Sequence, residues 1–268
     1  MSTVIARDLS LRYPSDNPAT RSVAVNGVSF DIAPGQVLAV VGETGSGKST
    51  LARAVALEAD LSAADSPTIS GGSLTVLDTP VRGISHRKRD RLALQVGYLR
   101  QEAGDYLEPR LTVGENVAEP IFSRDRRFDQ DEAGQAVATL IDAVRLPLGT
   151  MNKYPHELSK GQRQRVAIAK ALILEPTLLV ADDPTAGIDV TVRSAILDIL
   201  VHLQKLRSFS ALIVTADLAE VQRVSTQVAV MHGGIFVGLG HLDEVLADPR
   251  HPYVASLARS LDHLKDAG

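Results

Sequence analysis

The residues best suited to chemistry lie in one nonapeptide, Gly42-Glu43-Thr44-Gly45-Ser46-Gly47-Lys48-Ser49-Thr50, which satisfies G-x-x-x-x-G-K-[ST] in full. Glycines at this spacing let the backbone curl until successive N–H groups face inward, forming a nest for an anion. A helix that opens at the end of such a loop adds the positive end of its dipole. Lys48 then suits the β- and γ-phosphates of a nucleotide, and the Ser49 hydroxyl suits Mg²⁺. Asp182 is the second candidate. It closes the apolar run Leu178-Leu179-Val180-Ala181. Open α/β sheets bind their ligands at the carboxyl ends of their strands, so Asp182 is expected to hold the metal, through water. The plainer readings are a ligand-free glycine turn and an ordinary strand-end aspartate.

The elements that must place these residues are legible as patterns. Val37-Leu38-Ala39-Val40-Val41 is a continuous apolar run, as in a strand buried on both faces, and it leads into the glycine loop. Val28, Phe30 and Ile32 alternate with Ser29 and Asp31, and Pro34-Gly35 makes a turn. A helix is predicted from Lys48 to about Glu58, and residues 59–75 read as a loop. From about Leu99 to Leu174 the pattern is mostly helical. Within it, Ser123-Arg124-Asp125-Arg126-Arg127 reads as a solvated loop, and upstream His86-Arg87-Lys88-Arg89 reads as a wet helix face. Ile196, Ile199, Leu200 and Leu203 share one helical face. Ala211-Leu212-Ile213-Val214 is a further buried-strand candidate. Buried strands alternating with helices predict a parallel α/β sheet with right-handed crossovers.

Composition bounds the function. The 268 residues carry 28 Lys plus Arg against 32 Asp plus Glu, a formal charge of −4 that argues against broad electrostatic binding of nucleic acid. Cysteine is absent, which excludes disulfides, cysteine-ligated zinc and iron–sulfur clusters. Met1-Ser2-Thr3-Val4-Ile5-Ala6-Arg7-Asp8 lacks the basic-then-apolar order of a signal peptide. The longest stretch free of Asp, Glu, Lys and Arg, Val224 to Leu242, is broken by Ser225, Thr226, Gln227, His232 and Gly233-Gly234, so no membrane span is expected.

With the glycine loop and Asp182 placed, the chain resembles the ATP-binding subunits of ABC transporters over nearly its whole length. Gln101, in Tyr98-Leu99-Arg100-Gln101-Glu102, matches the Q-loop glutamine. Leu158-Ser159-Lys160-Gly161-Gln162 matches the signature motif, and Ala186-Gly187-Ile188-Asp189 matches the D-loop. The resemblance implies an α/β P-loop ATPase with a parallel core sheet, an N-terminal antiparallel β portion and a helical subdomain. Residues 1–98 and 175–250 would form the core, 99–174 the helical subdomain and 251–268 a helical tail, all within a single domain, 1–268. It implies ATP and Mg²⁺ as ligands. Gly42 through Thr50 would bind nucleotide, and Tyr13 would stack on adenine. Ser49, Gln101 and Asp182 would serve the metal, with Gln101 also contacting the attacking water. Ser159, Gly161, Gln162 and Asp189 would serve nucleotide across a dimer. The implied partners are a second ABC ATPase subunit, two transmembrane permease subunits at the cytoplasmic face of the membrane and, indirectly, an extracytoplasmic solute-binding protein. Asn152-Lys153-Tyr154-Pro155-His156-Glu157-Leu158-Ser159, Leu107-Glu108-Pro109-Arg110-Leu111-Thr112-Val113-Gly114-Glu115 and the tail Asp248-Pro249-Arg250-His251-Pro252-Tyr253 resemble the peptide and nickel importers of that family. His251 receives no catalytic role.

Three positions depart from the family pattern. Asp183 stands where the general base for water is usually Glu; it is shorter by one methylene, roughly 1.5 Å of reach. A misplacement of about 1 Å can cost on the order of 10²-fold in rate. Ala216, in Val214-Thr215-Ala216-Asp217, stands where the family has the switch histidine. Lys160 replaces a signature glycine, and its cation is expected either in solvent or near the opposing nucleotide. The residues for binding are thus present while those for hydrolysis are weakened. That predicts a subunit that binds ATP·Mg²⁺, hydrolyses it slowly and pairs with a different, competent ATPase. The simpler alternative is a homodimer in which Asp183 is a slow but adequate base. A soluble carbon–phosphorus lyase-type complex, which close relatives of the subfamily serve, is the alternative function. A DNA-repair or chromosome-organising ATPase would carry coiled coils or zinc modules, for which the chain has neither heptads nor Cys. A generic P-loop kinase or GTPase would leave Leu158–Gln162 unexplained.

Overall fold

The computed structural model describes residues 2–14, 23–60 and 66–266, with side chains through Leu261. The chain forms two compact units. One comprises the residues up to Ala93 together with those from Ser210 onward, and the other runs from Leu94 to Phe209.

The first unit opens with strands β1 (Val4–Arg12) and β2 (Val23–Ile32), then β3 (Val37–Gly42), helix α1 (Lys48–Val55), strands β4 (Thr68–Val76) and β5 (Thr79–Pro80), and helix α2 (His86–Ala93). β1 pairs antiparallel with both β2 and β4, and β5 extends the sheet from β4. Val28, Phe30 and Ile32 are buried while Ser29 and Asp31 are exposed, as the alternation predicts. Within the expected loop at 59–75, residues 61–65 lie outside the described residues, and from Thr68 the chain is strand instead. The Ser/Gly-rich composition argues for a loop locally, but pairing with β1 overrides it. The glycines serve that pairing. Between Arg7↔Ser73 and Ser10↔Gly71 the register shifts, with Asp8 at φ 49°. Gly72 sits there at φ 64°, and a Cβ would lie 2.1 Å from the Asp8 carbonyl oxygen. Helix α1 stops at Val55, short of Glu58, because Leu57 turns left-handed at φ 68°. The Glu58 N–H then returns to the Arg53 carbonyl at 2.8 Å. Arg89, expected wet, is buried, whereas His86, Arg87 and Lys88 are exposed.

The second unit begins with β6 (Val96–Leu99) and a 3₁₀ turn at Ala103–Tyr106. Helices α3 (Val113–Arg124), α4 (Gln130–Ala143) and α5 (Lys160–Leu172) follow, then β7 (Leu178–Asp182) and α6 (Val190–Arg207). Residues 123–127 are exposed, as a solvated segment should be. α3 starts at a capping box, in which the Thr112 hydroxyl accepts from the Glu115 N–H and the Glu115 carboxylate accepts from the Thr112 N–H. On α5, Ile168 and Leu172 are buried and Ala171 half-buried. Ile196, Ile199, Leu200 and Leu203 are buried on α6, and every residue of β7 is buried. β6 and β7 pair in parallel.

The chain then returns to the first unit through β8 (Ser210–Thr215), α7 (Leu218–Val224), β9 (Gln227–His232), β10 (Ile235–His241), α8 (Leu242–Ala247) and α9 (Pro252–Asp266). β3 lies between β8 and β9, parallel to both, and β10 runs antiparallel to β9. β3 is paired on both sides, and β3 and β8 are buried almost throughout, which is why both read as apolar runs. Among the described residues no helix is long and apolar enough to cross a membrane.

Candidate functional site

The glycine loop leaves β3 at the middle of three parallel strands and enters α1 directly. Two of its glycines are required by space. A Cβ on Gly42 would lie 2.1 Å from the Met231 carbonyl oxygen, and one on Gly47 would lie 2.2 Å from that of Ala24. Gly47 also sits at φ 103°. Lys48 is buried, and its ammonium donates to the carbonyls of Gly42 and Glu43, at 2.7 Å each. The loop thus closes on the lysine side chain, while Glu43, Thr44 and Gly45 stay exposed. Ser49 is exposed on the first turn of α1, and Thr50 is buried beside Tyr13, whose hydroxyl lies 3.3 Å from the Thr50 hydroxyl. A curled backbone, a helix start and a lysine make an anion cradle. Ala216 lies after β8 in this unit and is exposed. The turn around it is held without a histidine: Thr215 accepts from the Asp217 N–H at 3.0 Å and donates to Glu220 at 2.7 Å.

The second unit gathers the other predicted residues at loops around α5. Asp182 is the buried last residue of β7, at 4% exposure. Asp183 follows at φ 49°, a left-handed conformation that aspartate tolerates better than most residues. The N–H of Ala186 returns to its carbonyl at 3.0 Å. Gln101 is exposed after β6. Ser159 caps α5: its hydroxyl accepts from the Gln162 N–H at 3.3 Å, and the Gln162 side chain accepts from the Ser159 N–H at 2.9 Å. Gly161 packs on Val192 of α6, where a Cβ would come within 3.1 Å of Cγ1. Asp189 is exposed at the N-terminus of α6, and its carboxylate makes no capping bond there.

A family model described as ABC transporter matches residues 25–186. The di/tripeptide transport ATP-binding protein DppF of Pseudomonas aeruginosa is 36% identical over 262 residues, covering 96% of this chain and 78% of that protein. The chain belongs to the ABC transporter family. Its ATPase is of the ABC type. The oligopeptide transport ATP-binding protein OppD of Bacillus subtilis is 34% identical over 248 residues, covering 91% of this chain and 68% of that protein. The solved structure of cbiO1 from Clostridium perfringens, described as part of the ABC transporter complex cbiONQ, matches at 28% identity. Its TM-score is 0.77, with 92% of both chains covered.

Against the ABC pattern, the departure at Lys160 has an address. Its ammonium donates to Glu102 Oε1 at 2.6 Å and lies 3.8 Å from Asp105, which also pairs with Arg163 at 3.1 Å. The cation thus has a partner within the chain, the residue after Gln101, while its side chain stays partly exposed. The hydrogen bond to Glu102 is the main reason that the Lys160 pKa rises above the ordinary lysine value. Both groups lie over Gly187, where a Cβ would come within 2.2 Å of the ammonium.

Gln164 is the larger omission of the sequence reading. Buried on α5, it accepts from the Gly104 N–H at 3.0 Å and donates to the Pro184 carbonyl at 2.8 Å. One side chain thus joins the turn after Gln101, the signature helix and the turn after Asp183. A polar residue among the apolar positions of α5 was the available signal; its two partners, 60 and 20 residues away in sequence, were not.

Proposed function

We propose that this chain is the ATP-binding subunit of a peptide importer, seated at the cytoplasmic face of the membrane and working in a dimer of ABC ATPases. The observation that carries this reading is the glycine loop, closed around Lys48 at two positions that admit no Cβ. The names of DppF and OppD support peptides as the cargo class.

In this reading the loop N–H groups and Lys48 grip the β- and γ-phosphates of ATP. Lys48 exchanges its two carbonyl acceptors for phosphate oxygens, so its charge moves little on binding. Tyr13 serves the adenine. The donor set suits Mg²⁺, since Ser49, Gln101 and buried Asp182 offer only hard oxygen ligands. When bound, Mg²⁺ would supply neutralisation of phosphate charge. Asp183 is the base available to the attacking water. Held in a left-handed turn and short by a methylene, it makes a poor one, and Ala216 contributes no donor. Turnover on this chain's own nucleotide is therefore slow. Ser159, Gly161, Gln162 and Asp189 complete the site of a second, non-identical ATPase. Two permease subunits couple the pair to the membrane, one docking on the groove of about 750 Å³ between α3 and α4, lined by Leu111, Ala118, Phe122, Val137 and Met151. A solute-binding protein delivers the cargo.

Purification at native expression tests the assembly. Permease subunits and a second ABC ATPase should come with the chain; components of a carbon–phosphorus lyase complex in their place would replace the transport reading.

A further inference from the structure

The tail segment Asp248–Tyr253, singled out in the sequence, has no part in the function above, yet the structure brings it to the glycine loop. Tyr253 sits on the first turn of α9. Its N–H donates to His251 Nδ1 at 3.2 Å, which fixes one ring against the start of the helix. Both rings then meet His232, the last residue of β9. The Tyr253 ring stacks on it with centroids 4.9 Å apart, and the His251 ring lies at 5.3 Å, tilted. His232 in turn faces the loop, with Nδ1 3.0 Å from Glu43 Oε1. That approach is close but misaligned, because the same nitrogen is buried and makes no hydrogen bond. We count it as proximity of charge. Tyr253 and His251 thus reach Glu43 through the His232 ring that both contact.

Glu43 is thereby approached on two sides. Its carbonyl accepts from Lys48, and its carboxylate faces His232. The residue lies between the two glycines that space requires, where a backbone rotation would open the curl.

We propose that Tyr253, His232 and His251 form a strut that positions the phosphate loop through Glu43, so that the tail sets the affinity for nucleotide. These are positioning residues; none is placed against phosphate. A tail and a loop so joined are coupled in both directions: what the tail does to nucleotide affinity, nucleotide must do to the tail.

The inference rests on nucleotide binding by the loop, and the test separates the two. MgATP binding to the intact chain is measured by calorimetry for the wild type, Tyr253→Ala and His232→Ala, with melting followed in parallel. Tyr253→Ala removes the ring stacked on His232, and His232→Ala removes the imidazole that faces Glu43. Each should weaken binding about three- to tenfold, the range of one aromatic contact, beyond any change in the melting temperature. A purely structural role would lower the melting temperature and spare affinity. The wild type supplies a second measurement. Hydrogen exchange should slow on MgATP binding both in residues 42–50 and in residues 248–255. Affinities of both variants within twofold of the wild type, or tail exchange indifferent to MgATP, would overturn the strut. A wild type that takes up no MgATP removes the nucleotide reading itself, and the strut with it.

Discussion

The loop after β3 and the turn after β7 both follow buried parallel strands, yet they hold their residues differently. The loop around Lys48 has every residue type that its chemistry asks for, and Gly42 and Gly47 are locked by backbone atoms about 2 Å from where a Cβ would stand. The turn after Asp182 keeps its metal-type carboxylate but carries the shorter Asp183, and the end of β8 carries Ala216. Elements for gripping a nucleotide are tightly determined by packing. The residues proposed to serve cleavage stand outside the core, since neither Asp183 nor Ala216 is buried. Hydrolytic power can therefore be lost by substitutions that leave binding and fold intact.

The largest effect that would break this comparison concerns Lys48. Lys48→Ala should lower MgATP affinity by about two orders of magnitude, the scale of losing a charged hydrogen-bond partner, as calorimetry can read. Unchanged affinity would mean that the curl around Lys48 is only a strand–helix turn. Next comes the repair of the second region. Asp183→Glu combined with Ala216→His should raise ATP turnover about 10- to 10²-fold in the assembled complex, measured as phosphate release. Ala216 is exposed, so a histidine fits there without repacking. No gain would overturn the proposal that Asp183 and Ala216 slow turnover.

A smaller effect is expected at Gln164. Gln164→Ala leaves the Gly104 N–H and the Pro184 carbonyl without their partner and should cost about 1–3 kcal/mol, read from denaturant midpoints. The smallest belongs to Lys160. Both partners of its pair with Glu102 are well exposed, so Lys160→Met should lower stability slightly, and salt should erase the difference. The pKa of Lys160 is raised in the fold, so its contribution is complete below the ordinary lysine value of 10.5 and fades as pH climbs through the folded value. Wild type and variant should converge in strong alkali, as paired urea titrations would show.

What the sequence disclosed and what it hid divides along lines of range. The apolar runs at 37–41, 178–181 and 211–214 announced buried strands, and the 3- and 4-residue spacing from Ile196 to Leu203 announced a helix, because those signals are local. The phosphate loop was legible because its spacing is itself the mechanism. β4 reads as loop because Gly71 and Gly72 look like breakers, although β1, some 60 residues earlier, needs them for pairing. The partner of Lys160 was unreadable for the same reason, since Glu102 lies 58 positions away. So was the closeness of His232 and Tyr253 to Glu43. Long-range pairings of polar groups leave no period in a sequence.

One property of Gln164 reaches further than its cost in stability. Its carboxamide receives at one end and gives at the other, from Gly104 and to Pro184, so the linkage has a polarity. A glutamate of the same shape would fill the space and still satisfy Gly104, but could offer Pro184 nothing while ionised. The wiring between the two turns is thus written in the chemistry of an amide, and Gln164→Glu would cut one strand of it while leaving its outline intact.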